Sequence, residues 1–196
     1  MELFQSGGDT PSAKAWDCIR GLADRLGRKL IVKETGCGIS REVARKLAGC
    51  GVRTLDVAGA GGTSWVRVEN LRRAKSQRML NEFEDWGIPT AASLLECSGL
   101  GLDVIAGGGI RTGLDLAKSI RLGACAGSAA LPLLRALHRG GTRGVEKCLD
   151  EIFAGLRLSM ALTGCRTLSQ LRRCPAVLTG PLFEWATQRH LWKGLN

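Results

Sequence analysis

Leu102-Asp103-Val104-Ile105-Ala106-Gly107-Gly108-Gly109-Ile110-Arg111-Thr112 is a short apolar run that breaks into three glycines and restarts at a polar residue. The apolar part has the length of a strand buried on both faces. Thr112 stands where a helix N-cap belongs, ahead of Leu114, Leu116, Ala117 and Ile120 at helical spacing. Gly123 ends that helix, and Ala124 to Ala129 reads as the next strand. The same order occurs earlier. Leu30-Ile31-Val32-Lys33-Glu34 reads as a strand, Gly36-Cys37-Gly38 as the turn, and Ser40 as the cap of a helix from Arg41 to Gly49. Thr54-Leu55-Asp56-Val57-Ala58 then forms a strand that runs into Gly59, Gly61 and Gly62. Strands start near 30 and 53 in the first unit and near 102 and 124 in the second, so the step is nearly constant. Apolar strands alternating with helices predict a parallel α/β sheet. Four βα units are half of the eight that close a TIM (β/α)8 barrel. The expected architecture is therefore one partial barrel domain over residues 1–196, or an open sheet, followed by C-terminal helices.

The flanking sequence is less regular. Ser64 to Trp86 is long, charged and helical in propensity, and it follows a glycine loop at the C-terminal end of a strand. It reads either as a lid over the barrel mouth or as an ordinary exposed helix. Val145 to Leu162 is amphipathic with a helical period, and Gly164, Cys174-Pro175 and Gly180-Pro181 break up a short helical tail.

Composition narrows the function classes. The chain has 196 residues, 44% hydrophobic and 23% charged, which is ordinary for a globular protein. No apolar run reaches the roughly 18 residues of a membrane span. Met1 to Ser6 lacks the basic-then-apolar pattern of a signal peptide. The eight cysteines stand singly, with no Cys-x-x-Cys, and read as reduced thiols in a cytoplasmic protein. The net charge of +10 comes from twenty Arg and eight Lys against 18 acids. The arginines are spread along helix faces and no aromatics interleave, so neither nucleic acid nor membrane is expected as a partner. Solvated helix faces explain most of the excess, and attraction of a small anion is the alternative.

The chemistry-bearing residues gather at strand ends. Gly107 to Thr112 reads as a phosphate cradle or as a tight turn without ligand. Glycines let a backbone approach a ligand closely, a helix N-terminus attracts anions, and Arg111 adds a charged fork. Ser128-Ala129-Ala130-Leu131-Pro132 is a second turn of the same kind beside it, which favours the cradle. Neither a dinucleotide fingerprint nor a P-loop is present. Lys33 lies within an apolar strand and is expected to be buried against an anion or ring, with Glu34 or Asp56 as alternative partners. Thr63 and Trp65 follow the glycines of the second strand. Asp56 reads as either a structural acceptor or an active-site acid. His138 and His190 lie away from strand ends and read as surface residues.

Taken in order, Val32-Lys33-Glu34-Thr35-Gly36-Cys37-Gly38, Asp56 to Trp65, Asp85-Trp86-Gly87-Ile88-Pro89-Thr90, Gly108-Gly109-Ile110-Arg111-Thr112-Gly113, Leu162-Thr163-Gly164 and Leu178-Thr179-Gly180 resemble the FMN-dependent, type 2 isopentenyl-diphosphate delta-isomerases. The resemblance covers nearly the whole chain, as the C-terminal half of that family. It implies a TIM barrel, FMN, a magnesium ion, and NADPH to reduce the flavin. It also implies interconversion of isopentenyl and dimethylallyl diphosphate in isoprenoid biosynthesis, with reduced FMN as acid and base and no net redox. By the same resemblance Lys33, Ala58 and Thr63 are FMN contacts. Gly109, Ile110 and Arg111, with Ala130 and Leu131, hold the FMN phosphate. Trp65 is a wall beside the substrate, and Glu2 is the magnesium ligand. Ala58 departs from the family's usual serine, and Ala106, Cys125 and Leu131 are also atypical. Two open sheet edges predict a homo-oligomer or a missing N-terminal half. A half-barrel that binds flavin or phosphate without turnover is the alternative function. FMN-dependent oxidation of 2-hydroxy acids would share the cradle but needs a histidine at the mouth.

Overall fold

The computed structural model describes residues 14–72 and 81–191. Strands β1 (Ile31–Lys33), β2 (Thr54–Asp56), β3 (Asp103–Ala106) and β4 (Ala126–Gly127) form one sheet in the order β1-β2-β3-β4. Every neighbouring pair is parallel. Helix α1 (Ala15–Leu26) precedes the sheet, and α2 (Arg41–Gly49) connects β1 to β2. Helices α3 (Trp65–Arg72) and α4 (Thr90–Cys97) lie between β2 and β3, and α5 (Gly113–Arg121) between β3 and β4. After β4 come α6 (Leu131–Leu162), α7 (Leu168–Arg173) and α8 (Gly180–Gln188). This is the sequential βα order of half a barrel.

Local signals set the helix ends. Ser40 accepts the N–H of Val43 at the start of α2. Thr112 and Asp115 form a reciprocal capping box at the start of α5. The span α6 comprises two helical stretches that meet at a kink, and the run read from Val145 lies in the second of them. The backbone leaves helical geometry at Gly140 and Gly141, where Gly141 has φ +57°. The strand expected over 124–129 narrows to Ala126–Gly127. Of the charged segment 64–86, Trp65–Arg72 is helical and 82–85 is a turn, while 73–80 falls outside the described residues. Helices α1 and α4 lie outside the runs read from the sequence.

Register divides the sheet into two faces. Val32, Leu55 and Val104 stand side by side and pack with Ala44 and Leu47 of α2 and Leu94 and Leu95 of α4. Full burial of one such leucine is worth about 1.5–3 kcal/mol, so this layer carries the fold. The row Lys33, Asp56, Ile105 and Ala126 lies on the other face, which a complete barrel encloses. Here the expectation for Lys33 is corrected. Its side chain is exposed rather than buried, because among the described residues nothing covers the β1 end of this face. Ile31, 52% exposed, stands on the same side.

One buried carboxylate ties the outer layer together. Glu96 of α4 is fully buried. It accepts the backbone N–H of Arg41 (3.1 Å), the indole N–H of Trp185 (2.8 Å) and the Arg189 guanidinium (2.9 and 3.1 Å). Burial alone would push its carboxyl up, but the donors from Arg189, Trp185 and Arg41 hold it below the ordinary value. Arg189 also reaches Glu42 at 2.5 Å and so joins α2, α4 and the C-terminal end of α8. All eight cysteines are free thiols. Among the described residues no helix is long and apolar enough to cross a membrane.

Candidate functional site

The C-terminal ends of all four strands open into one cavity of about 360 Å³, within the size range of small-ligand clefts. Its wall contains Lys33, Ala58, Thr63, Gly109, Ile110, Arg111, Ala130 and Leu131, the full set expected at the flavin, together with Trp65. It also contains Ser128 and Arg135. Among the described residues Lys33, Arg111 and Arg135 are the charged ones of that wall, and no carboxylate lines it.

Backbone packed on backbone shapes the mouth. Gly108 has φ +89° and lies so close to Gly59 that any side chain would strike the Gly59 carbonyl. A Cβ on Gly109, at φ +85°, would meet the Gly61 carbonyl at 2.6 Å. A Cβ on Gly62 would meet the N of Gly109 at 2.9 Å. Glycine is therefore required where the β2 and β3 loops cross. Thr90 donates from Oγ1 towards the carbonyls of Gly107 (3.1 Å) and Gly108 (2.5 Å). Its role is not visible in the sequence, since its partners lie in another unit. No acceptor among the described residues takes the N–H of Gly109, Ile110, Ala129 or Ala130. All four residues line the cavity.

Asp56 resolves as a structural acceptor. It is 4% exposed, accepts the Ala58 N–H at Oδ1 (3.1 Å) and the Ser128 hydroxyl at Oδ2 (2.8 Å). It thereby spans from β2 across β3 to the loop after β4. Gly107 lies beneath the bond, where a Cβ would collide with Oδ1. Ala58, at φ +34°, holds a left-handed conformation uncommon outside glycine. The Asp56 bond to its N–H stabilises that turn. Ala58 offers the cavity a methyl wall and no hydroxyl.

The arms of the cradle differ. The Arg111 guanidinium donates to the carbonyls of Gly109 (3.0 Å) and Gly61 (2.6 Å), fastening the β3 loop to the β2 loop. The backbone N–H groups of Arg111 and Thr112 go to Asp115 Oδ2. Burial opposes ionisation of Asp115, yet these donors hold its carboxyl below the ordinary range. The N-terminus of α5 therefore already carries its own anion. On the opposite wall Lys33 Nζ donates to the Glu34 carbonyl (2.7 Å). The Glu34 carboxylate accepts the N–H groups of Gly36 and Cys37 (both 2.5 Å) and Gly38 (3.2 Å), which fixes the β1 loop. Burial and Glu34 push the Cys37 thiol up, so it is no activated nucleophile. Trp65, 47% exposed, stands between this cavity and a smaller one of about 190 Å³ lined by Cys37, Glu84, Asp85 and Trp86.

The model of a family described as FMN-dependent dehydrogenase matches residues 5–177. The chain belongs to the FMN-dependent dehydrogenase family. Within reach of that family it is similar to proteins named isopentenyl-diphosphate delta-isomerase. One from Methanothermobacter thermautotrophicus is 46% identical over 191 residues, covering 96% of this chain and 54% of the relative. One from Methanosarcina barkeri is 45% identical, covering 96% and 53%. The chain spans about half the length of these curated relatives. Among solved structures, a mandelate oxidase variant with a monooxide FMN adduct superposes with TM-score 0.61 at 22% identity. It covers 87% of this chain and 48% of that one. That likeness concerns the fold, and it agrees with half a barrel.

The FMN-dependent dehydrogenase family sets a test for the cavity, and the residues pass it. Three cations with no acid, four open backbone donors, and glycines whose side chains would fill the mouth all fit a phosphate-bearing flavin. Histidine is absent from the wall. His138 and His190 are exposed elsewhere, as expected. Glu2 lies outside the described residues. Within them, no group of His, Cys, Asp and Glu is arranged to hold a metal ion.

Proposed function

We propose that this chain is the flavin-phosphate half of an isopentenyl-diphosphate delta-isomerase, one partial barrel domain over 1–196. The observation that carries the reading is that Lys33, Ala58, Thr63, Gly109, Ile110, Arg111, Ala130 and Leu131 line one cavity, although they are scattered over four βα units. The identity of 42–46% to proteins named as that isomerase supports it. FMN, reduced by NADPH, would supply the proton donor and acceptor for moving the double bond, with no net redox. The chain's own residues would seat and orient that cofactor. Gly109 and Ile110 would present backbone N–H groups to the phosphate, with Ala130 and Leu131 in the turn after the neighbouring strand. Lys33 brings a positive charge to the opposite wall. Thr63 would offer a hydroxyl to the flavin, and Trp65 would form a wall beside the isoprenoid diphosphate. Magnesium at Glu2 would hold the diphosphate. The setting in this proposal is the cytoplasm.

A second reading is a half-barrel that binds flavin or phosphate without turnover. The uncovered sheet face with Ile31 and Lys33 favours it. Among the described residues β1 and β4 have no further partner strand, which supports pairing with a second copy or with a complementary four-strand half. Titration with FMN, followed by flavin fluorescence, tests the binding that both readings share. Saturable binding weakened by Arg111→Ala is expected, and its absence overturns both. An isomerase assay with the complementary half then separates them. Turnover supports the first reading, and binding without turnover supports the second.

A further inference from the structure

We propose that Arg135, rather than Arg111, is the guanidinium that engages the phosphate in this cavity. The inference rests on the FMN reading of the site and adds a residue that the family motifs did not bring forward.

Arg111 is committed elsewhere. Its guanidinium donates to two carbonyls, Gly109 and Gly61, that belong to the mouth itself. Its backbone N–H is taken by Asp115, whose carboxylate lies at the first turn of α5. A phosphate brought to that turn meets a negative charge where the helix would otherwise offer a positive end. The start of α6 is the reverse case. It has no side-chain cap and no acidic residue in its first turn. Pro132 stands in that turn, where a missing N–H costs nothing. Arg135 follows one turn on, at the same wall as Ala129, Ala130 and Leu131. It has no hydrogen bond or ion pair among the described residues. Of the three cations on the wall, Lys33 donates to the Glu34 carbonyl and Arg111 to the loops. Arg135 alone among them brings a free planar fork, the group that matches phosphate oxygens two at a time. The division of labour is then simple. Arg111 is a positioning residue that shapes the mouth, and Arg135 supplies the charge that distinguishes a phosphorylated ligand from its dephosphorylated form.

Paired titrations of the full chain with FMN and with riboflavin test this. Arg135→Ala is expected to weaken FMN about 10- to 100-fold, the range for a charged hydrogen bond, and to leave riboflavin within about 2-fold. Arg135→Lys should fall between wild type and alanine for FMN, since it keeps charge but not the fork. Arg111→Ala should weaken both flavins by a similar factor. Matching circular dichroism and melting curves confirm that each variant is folded, as expected for an exposed side chain. Unchanged FMN binding in Arg135→Ala, or equal loss of FMN and riboflavin, overturns the inference. If wild type binds neither flavin, the FMN reading fails for this chain. Inorganic phosphate, followed by 31P line broadening, then decides on Arg135 separately. Broadening lost in Arg135→Ala supports the role, and equal or absent broadening in both proteins overturns it.

Discussion

The outer layer and the mouth of this half-barrel are held by different means. In the outer layer, leucines and valines from strands and helices fill a continuous core, and Glu96 joins α2, α4 and α8 through Arg41, Trp185 and Arg189. At the mouth, the β2 and β3 loops meet through bare backbone rather than through an apolar core. Gly59, Gly61, Gly62, Gly108 and Gly109 lie backbone to backbone, and Asp56, Thr90 and Arg111 bridge the loops through hydrogen bonds. The outer layer depends on side chains that are present, and the mouth on side chains that are absent. Truncation should therefore harm the first, and addition the second.

The largest effect should come from Glu96→Ala. Removing the carboxylate leaves the Arg41 N–H and the Trp185 indole N–H without their acceptor, at about 1–3 kcal/mol each, read as a shift in the urea midpoint. Flavin affinity of the folded fraction should hold. A variant that kept its stability but lost flavin would break the distinction. Gly108→Ala is the complementary test at the mouth. It combines a left-handed backbone, worth about 1–2 kcal/mol, with overlap on Gly59, worth about 1–3 kcal/mol. Loss of saturable FMN binding is expected as well. Binding at wild-type strength would show that the loops can separate without harm. Asp56→Ala sits between the two regions. It strands the Ser128 hydroxyl and the Ala58 N–H, so about 1–3 kcal/mol of stability should go. FMN affinity should fall with it, as the loop after β4 loses its tie. A loss of stability with affinity intact would place Asp56 with the outer layer.

Acid should produce the smallest and most gradual change. The folded-state carboxyls of Glu96 and Asp115 lie below their ordinary values, and Glu42, bonded to Arg189, is lowered to about 2. A depressed carboxyl contributes stability that is complete above its unfolded pKa and is lost as pH falls through the folded one. For Glu42 that window runs from its ordinary 4.5 down to about 2. Melting temperature should therefore stay flat from about pH 7 to 5 and decline below about pH 4. Glu96→Gln should flatten the outer layer's share of the decline and Asp115→Asn the mouth's. A melting temperature that rises on acidification contradicts both assignments.

Much of this is legible along the chain. The glycine turns, the caps at Ser40 and Thr112 and the strand order follow from local preference and period. The isomerase name of the relatives agrees with the family that the motifs resemble. What escaped the sequence involves partners far apart. Thr90 matters because it reaches Gly107 and Gly108 in the next unit. Arg135 looks like one more arginine on a basic helix. The burial expected of Lys33 is not found, because it depends on strands on the far side of a barrel and not on its neighbours in β1.

By itself the sequence determined the repeating βα unit, the parallel sheet and the positions where a backbone must be bare. These depend on residues within a few places of one another. Only the tertiary structure decided what each charge does. It tied Arg111 to two loop carbonyls, placed Asp115 at the α5 N-terminus, and left Arg135 open at the cavity. A side chain's electrostatic role is set by which partners fold beside it, and the loops that bring them together are distant in the chain.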